Sequence, residues 1–469
     1  MEEFDLVIIG GGPAGEKAAA KAAYFKKKVA LIEKQKDPGG AGVHTGTLPS
    51  KTLKETALFL SGKNDKGLFG VDKNLRRNVS IEDFYYRKNL AIESEVQAIK
   101  KNLENHNVTQ VQGEGSFIDS QTIEVQGQVN MKVKGNYILI ATGSEPFHPP
   151  SIPFDFKRIH DSDSILNLER FPRSICILGG GVIGSEYTTI FATKEIPVSL
   201  IDSRTELLPF LDHEISKALE ESMINDKVTL ILNDSVDFIN VPKDDISDLE
   251  IQLGSGKIVK SDMFLFAAGR NGASKNLSLN KAGLVAGKRG SIGVNENYQT
   301  AIPNIYAVGD IIGFPALAST SMDQGRVAVS HMFKTEGHKQ LSKIFPYGIY
   351  TIPEVSMVGI TEEDAVAEGL SITTGKSHYA NTARGRILGL KQGFLKLVAS
   401  QDECEILGVH IIGQMATEII HYGLTLVERR MHLEDVIAEV FNYPTLHDLY
   451  KYAAYDALGN LAGRTLRES

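Results

Sequence analysis

Apolar residues in this chain come in short runs, and the first, Phe4-Asp5-Leu6-Val7-Ile8-Ile9, has the pattern of a buried strand. It is closed by Gly10-Gly11-Gly12-Pro13-Ala14-Gly15, after which an Ala-rich pattern from Ala14 to Ala23 predicts a helix. A second apolar run, Val29 to Ile32, ends at Glu33. The same order returns later as Ile175 to Leu178, the turn Gly179-Gly180-Gly181-Val182-Ile183-Gly184, and Val198 to Ile201 ending at Asp202. Each acid stands equally far beyond the last glycine of its unit, so one strand–turn–helix–strand unit occurs twice. Between the copies, Ser80-Ile81-Glu82-Asp83 predicts a capping-box helix start, with Asp in the usual Glu place, and a long charged helix to about Asn105. Short alternating strands follow to Asn136, and a last apolar strand reaches Ala141-Thr142-Gly143. Leu253-Gly254-Ser255-Gly256 is a hairpin signal. Ile305 to Asp310 reads as a strand ending in Gly-Asp, and Ala318 to Lys334 as a helix. From about Pro346 the strands Tyr350 to Val358, Phe394 to Val398 and Ile406 to Ile412 alternate with helices near 362–368, 417–430 and 447–458.

The repeated unit carries chemistry. Its Gly-x-Gly-x-x-Gly spacing, Gly10, Gly12, Gly15 and then Gly179, Gly181, Gly184, allows a tight turn and close approach of backbone to a pyrophosphate. The helix that follows offers N–H donors and partial positive charge, and the acid at the end of the second strand accepts bonds from a ribose. Two such units imply two dinucleotides or a duplicated fold with one dead site, and because the second keeps every glycine and its acid the first reading is preferred. In the second, Asp202 favours a free 2′-hydroxyl, whereas Arg204, two residues on, would offset its repulsion of a 2′-phosphate; the competing reading leaves Arg204 a solvated surface charge. The expected organisation is α/β: two Rossmann-like dinucleotide-binding domains followed by an α+β domain. Residues 1–147 form the first part of the first domain, 148–269 the second domain, 270–344 a return to the first, and 345–469 the third.

Composition narrows this further. A length of 469 residues suits several domains. No apolar run approaches the roughly 18 residues of a membrane span, and the first run is short and lacks a basic start, so a cytoplasmic address is expected. With 50 Lys and Arg against 58 Asp and Glu, the net charge of −8 offers no basic face for nucleic acid. Cys176 lies in an apolar run and Cys404 in a polar one; whether they meet is open, but they make neither a disulfide framework nor a metal-ligand spacing, and no metal is expected.

One further stretch, Gly39-Gly40-Ala41-Gly42-Val43-His44-Thr45-Gly46-Thr47-Leu48-Pro49-Ser50-Lys51, resembles the active-site segment of the pyridine nucleotide–disulfide oxidoreductases, the flavoprotein family of dihydrolipoamide dehydrogenase and glutathione reductase. The resemblance continues through Ala141-Thr142-Gly143, Ala267-Ala268-Gly269-Arg270, Thr300 to Asp310 and Tyr350-Thr351-Ile352-Pro353-Glu354. It implies FAD in the first unit, with Glu33 and Lys34 at the adenosine and Gly39, Gly40, Thr47 and Lys51 along the pyrophosphate and flavin. Gly115, Thr142 and Gly143 would add backbone contacts, Asp310 would hold the ribitol, and Ala318 would approach the ring. NAD or NADP would occupy the second unit, with Gly269 at its border also among the cofactor-binding residues. Lys51 and Glu186 would pair beside the flavin, where positive charge stabilises an anionic reduced ring. The third domain would make a homodimer, bringing the partner copy's Tyr443 region near the flavin.

The family's two redox cysteines are missing, Gly42 and Thr47 standing in their places. Its His–Glu acid/base pair is missing too, with Tyr443 and Asp448 at those positions. His44, Gly46-Thr47, Asp161-Ser162-Asp163-Ser164-Ile165-Leu166, Asp323-Gln324-Gly325-Arg326 and Phe441-Asn442-Tyr443-Pro444-Thr445 resemble the family's soluble transhydrogenase branch, although that branch is expected to keep its first cysteine. The resemblance therefore implies FAD-dependent exchange of hydride between NADPH and NAD⁺ without a disulfide. The alternatives are a diaphorase or quinone reductase, and a degenerate dihydrolipoamide dehydrogenase paralogue acting as a binding subunit.

Overall fold

The computed structural model describes residues 2–62, 79–127, 130–337 and 340–463; residues 1, 63–78, 128–129, 338–339 and 464–469, within the expected domains, lie outside the described set. The strand Glu2–Ile9 sits centrally in a seven-stranded sheet, with parallel neighbours Val29–Glu33 and Met131–Ile140. Both faces of its inner half are covered, which explains why Leu6 to Ile9 is an unbroken apolar run. Met131–Ile140 is shared: its first half pairs antiparallel with Thr122–Gln126 and its last residues pair parallel with Ile305–Ala307. A later segment thus returns to complete the first sheet. The helix Pro13–Tyr24 covers this sheet and packs on Ala318–Phe333 through small residues. A Cβ on Gly325 would stand 2.4 Å from the Ala14 carbonyl oxygen, so that crossing requires glycine. The capping box before Ile81–Asn105 is present in both directions, Asp83 N–H donating to Ser80 Oγ and Ser80 N–H to Asp83 Oδ2, each at 3.1 Å.

The second sheet is five-stranded and wholly parallel, in the order Thr229–Ile231, Val198–Ile201, Ile175–Leu178, Met263–Phe266, Ile159–Asp161. Its excursion from the first sheet begins and ends at one place, where Ser144–Pro146 and Arg270–Gly272 pair as a two-stranded antiparallel ribbon. Cys176 is buried in the middle of this sheet, where burial pushes its thiol pKa up, and Cys404 lies in the third unit; neither forms a disulfide.

Residues from 347 onward build a five-stranded antiparallel sheet with helices on it. The expected strand from Tyr350 to Val358 begins only at Glu354, as Glu354–Gly359, and a separate strand, Tyr347–Ile349, precedes the irregular segment between them. Pro353 has no N–H for a ladder, and the N–H groups of Tyr350 and Ile352 turn away to Glu186 and Thr189 of the second unit. The strand that ends in Gly-Asp is also shorter than expected: it stops at Ala307, and Gly309, at φ +80°, turns the chain into a 3₁₀ turn carrying Asp310.

Second and third units are bolted together by Lys396. Fully buried, its ammonium meets Asp212, Glu214 and Glu362 at 2.8, 2.9 and 2.5 Å. Asp212, also fully buried, caps the His213–Asn225 helix. Lys396→Met removes the cation and leaves the Asp212 charge stranded, a change that costs about 3 kcal/mol or more. A urea titration checks it: the midpoint should fall with no change in slope.

Candidate functional site

Each glycine turn is shaped by backbone that leaves no room for side chains. At Gly10, φ is +105° and a Cβ would stand 2.3 Å from the Ala141 carbonyl oxygen; one on Gly15 would stand 2.0 Å from the Gly10 oxygen. The second turn repeats this, a Cβ on Gly184 lying 1.8 Å from the Gly179 oxygen. The middle glycines differ. A Cβ on Gly12 would meet only Gly40 Cα, at 3.7 Å, and one on Gly181 would meet nothing within 4 Å. Both sit at the N-terminal caps of their helices, where first-turn N–H groups point outward. The open sides of these two glycines therefore form cradles for a group that accepts hydrogen bonds.

Both acids brace their own turns. Glu33 accepts from Gly11 N–H at 2.8 Å through Oε2 and from Gln35 N–H at 2.8 Å through Oε1. Asp202 accepts from Gly180 N–H and also takes a fork from Arg204, whose Nε and Nη2 reach its two oxygens at 2.8 and 2.7 Å. Burial alone would raise the Asp202 pKa; the Arg204 fork and two backbone N–H groups outweigh it and hold the carboxyl below its usual range. Arg204 is therefore no free surface charge, since it neutralises Asp202.

A cleft of ≈ 1710 Å³ runs from the first glycine turn to the second unit. Its walls include Gly10, Gly12, Glu33, Lys34, Gly40, Thr47, Lys51, Gly115, Thr142, Gly143, Asp310 and Ala318, and, across the junction, Glu186 and Tyr187. Of the other predicted residues, Gly15 closes the first turn from inside, and Gly39, at φ +124°, donates its N–H to the Gly11 oxygen. Gly179, Gly181, Gly184, Asp202 and Arg204 gather at the second turn, outside this cleft. Gly269, at φ +148° with open space where a Cβ would be, lies just before the ribbon.

The junction is the most connected part of the cleft. Lys51 Nζ reaches both Glu186 oxygens at 2.8 Å. Ser50 Oγ donates to Glu186 Oε2 at 3.1 Å, and Tyr350 N–H to Oε1 at 3.0 Å. Asp310 is tied in from the other side: Ser144 Oγ donates to it at 2.8 Å, and Arg270 in turn reaches Ser144, Ser162 and Asp163. A polar chain thus spans the two units along the cleft wall. Its member Ser144 escapes a sequence reading, since nothing local marks it, whereas Asp163, Arg270 and Tyr350 lie inside the motifs that carry the family resemblance, with no sign there of their contacts. His44 is held through Nε2 to the Pro38 oxygen at 3.0 Å. His447 packs on Tyr450 and Phe441, whereas His421 borders the cleft. No cysteine lines the cleft, where Gly42 and Thr47 stand. Among the described residues no cluster of His, Cys, Asp or Glu could hold a metal, and no helix is long and apolar enough to cross a membrane.

One nucleotide-cradling turn opens on the cleft and a second lies beyond it, on two sheets joined by a ribbon, and this is a scaffold for two dinucleotides. Residues 4–325 match the pyridine nucleotide-disulphide oxidoreductase family and residues 345–454 its dimerisation domain, and the chain belongs to that family. It is 40% identical over 466 residues to a soluble pyridine nucleotide transhydrogenase of Mycobacterium bovis, with 98% of each chain covered. A protein of the same name from Colwellia psychrerythraea is 38% identical over 98% of this chain and 99% of its own. Among solved structures, the HOCl-induced flavoprotein disulfide reductase RclA of Escherichia coli, as its Cu(II) complex, superposes with TM-score 0.88 at 25% identity, covering 97% of this chain and 99% of that one.

Membership in the family makes FAD the resident group and nicotinamide nucleotides the substrates. The first cleft fits FAD: it is long, its glycine cradle is open, and Thr142 on its wall has a buried hydroxyl with no hydrogen-bond partner among the described residues.

The glycines can be separated by experiment. Gly184→Ala forces a Cβ onto backbone and should cost about 3 kcal/mol or more. Gly181→Ala meets open space at φ −78° and should leave stability within about 1 kcal/mol while weakening NADPH binding at least about tenfold. Thermal melts and NADPH titrations of the two variants distinguish these outcomes.

Proposed function

We propose that this chain is a soluble pyridine nucleotide transhydrogenase, exchanging hydride between NADPH and NAD⁺ with FAD and no disulfide. One observation carries the reading: the cleft of a disulfide-reductase fold is built with Gly42 and Thr47 at the two cysteine positions, while its Lys51–Glu186 junction is intact. The names of relatives covering almost the whole chain agree with it. FAD, when bound, supplies the two-electron chemistry, and the protein supplies binding, orientation and charge. NADPH and NADH differ only by a remote 2′-phosphate, so the exchange of hydride between the two couples is nearly thermoneutral and needs no acid, base or third redox centre.

The residues divide this work. Gly10 and Gly12 open the first turn to a pyrophosphate, Glu33 receives a ribose, and Asp310, held by Ser144, receives a polyol chain. Lys51 places a cation at the inner end of the cleft, and Glu186, gripped by Ser50 and the Tyr350 amide, keeps it there. At the second turn Gly181 receives the nicotinamide nucleotide's pyrophosphate. Because Arg204 already neutralises Asp202, neither a 2′-hydroxyl nor a 2′-phosphate is strongly rejected, which suits an enzyme that must accept both. The working form is a cytoplasmic homodimer in which Tyr443, 73% exposed on the single chain, packs near the partner's cleft. The residue boundaries 1–147, 148–269, 270–344 and 345–469 serve as the functional domains.

Stopped-flow absorbance tests the proposal. NADPH should bleach the flavin band and NAD⁺ should restore it; a band that NAD⁺ cannot restore refutes the exchange. Arg204→Ala should raise the KM for NADPH about tenfold or more, while the KM for NADH changes by less than about threefold, as steady-state kinetics with each nucleotide would show.

A further inference from the structure

The helix Thr47–Ser61 begins on the cleft wall and carries a second lysine three residues beyond Lys51, on the same side of the helix. That residue, Lys54, is 4% exposed, and its ammonium pairs with the buried Glu354 carboxylate of the third unit. Burial alone would lower the lysine's pKa; Glu354, with Glu55 beside it, outweighs burial and leaves the ammonium above its usual range. Glu354 has no freedom to turn away. Its other oxygen accepts from Thr417 N–H at 3.1 Å and Thr417 Oγ1 at 2.8 Å, at the start of the Ala416–Glu428 helix.

Between these anchors lies the segment that broke the expected strand. Its Tyr350 ring has Lys51 Nζ at 4.8 Å and Lys54 Nζ at 5.9 Å from the centroid, and its Tyr350 amide holds Glu186 Oε1. The two lysines of one helix therefore grip the same segment, one from the cleft and one from behind. We propose that Lys54 is a positioning residue for the transhydrogenase reaction: its ion pair with Glu354 fixes the segment from Tyr350 to Glu354, and the Tyr350 amide then sets the direction in which Glu186 holds Lys51. A buried ion pair is a poor way merely to glue helix to sheet, because an apolar pair of similar volume usually does so at least as well. What the pair provides is a fixed distance and direction. It acts on Glu186 through backbone and touches neither cofactor nor substrate.

This inference rests on the transhydrogenase reading, and the experiment separates the two. Full-length FAD-loaded protein is compared as wild type, Lys54→Met, Lys54→Arg and the apolar double variant Lys54→Met/Glu354→Leu. Three quantities are measured: Tm, the visible absorption maxima of bound flavin, and kcat and KM for NADPH. Lys54→Met should lower kcat about tenfold with KM within about twofold and should shift the flavin maxima, as expected when a cation at the cleft is misdirected. Lys54→Arg should recover most of kcat. The double variant should recover Tm without recovering kcat or the wild-type maxima. If kcat and spectrum return together with Tm, the pair is structural glue and the proposal is wrong; unaltered maxima and kcat in Lys54→Met overturn it equally. Should Lys54→Met fail to fold, the double variant decides alone. A wild type that shows no transfer from NADPH to NAD⁺ refutes the functional reading, whereas the flavin maxima still judge Lys54.

Discussion

Lys51 and Glu186 join two halves of the molecule that share no sheet. One side chain comes from a helix opening at the first cleft, the other from the first turns of the helix behind the second glycine turn. An ion pair so sheltered loses much of its hydration, and it is retained only because each oxygen of Glu186 has a second donor, Ser50 on one and the Tyr350 amide on the other. Remove those donors and the carboxylate would be underpaired; remove the carboxylate and a cation would face the cleft alone. The placement of the second unit against the first, and of the third against both, meets at this one group.

The same economy recurs at the glycine turns. In each, the acid at the end of the following strand reaches back to an N–H of the turn, so the residue suited to receive a ribose also holds the loop in shape. The two turns differ in their countercharge. Asp202 is neutralised by Arg204, whereas Glu33, among the described residues, is bound by backbone N–H groups. A unit with a tightly held resident group can keep a bare acid for one particular ribose. A unit through which two different nucleotides must pass is better served by an acid already balanced.

Much of this was legible in the sequence because it is local. The strand, glycine turn, helix and acid of each unit follow one another within a few turns of chain, so the α/β scaffold and the turns could be read directly. The resemblance then supplied the pairing of Lys51 with Glu186, which spacing alone would not reveal. Other features were hidden because they are set by packing between distant segments. Apolar residues from Tyr350 to Val358 look like one strand, yet two amides leave the ladder for partners on the second unit. Lys54 looks like an ordinary helix-surface lysine until the third unit buries it against Glu354. His421 sits in a run with helical spacing and no partner, and only folding places it beside the cleft. The missing thiols, by contrast, were plain from composition, since two cysteines in the whole chain fall far from the positions that matter.

The ribbon formed by Ser144–Pro146 and Arg270–Gly272 gives the second unit the topology of a cassette. Chain enters and leaves it through neighbouring, hydrogen-bonded strands, so the first sheet would close across the gap if the intervening residues were absent. Such an insertion breaks the covalent path of its host at one seam. Nucleotide preference can then change by drift within the cassette, leaving the flavin cleft's own sheet untouched, and one scaffold can be refitted to a new electron donor without being rebuilt.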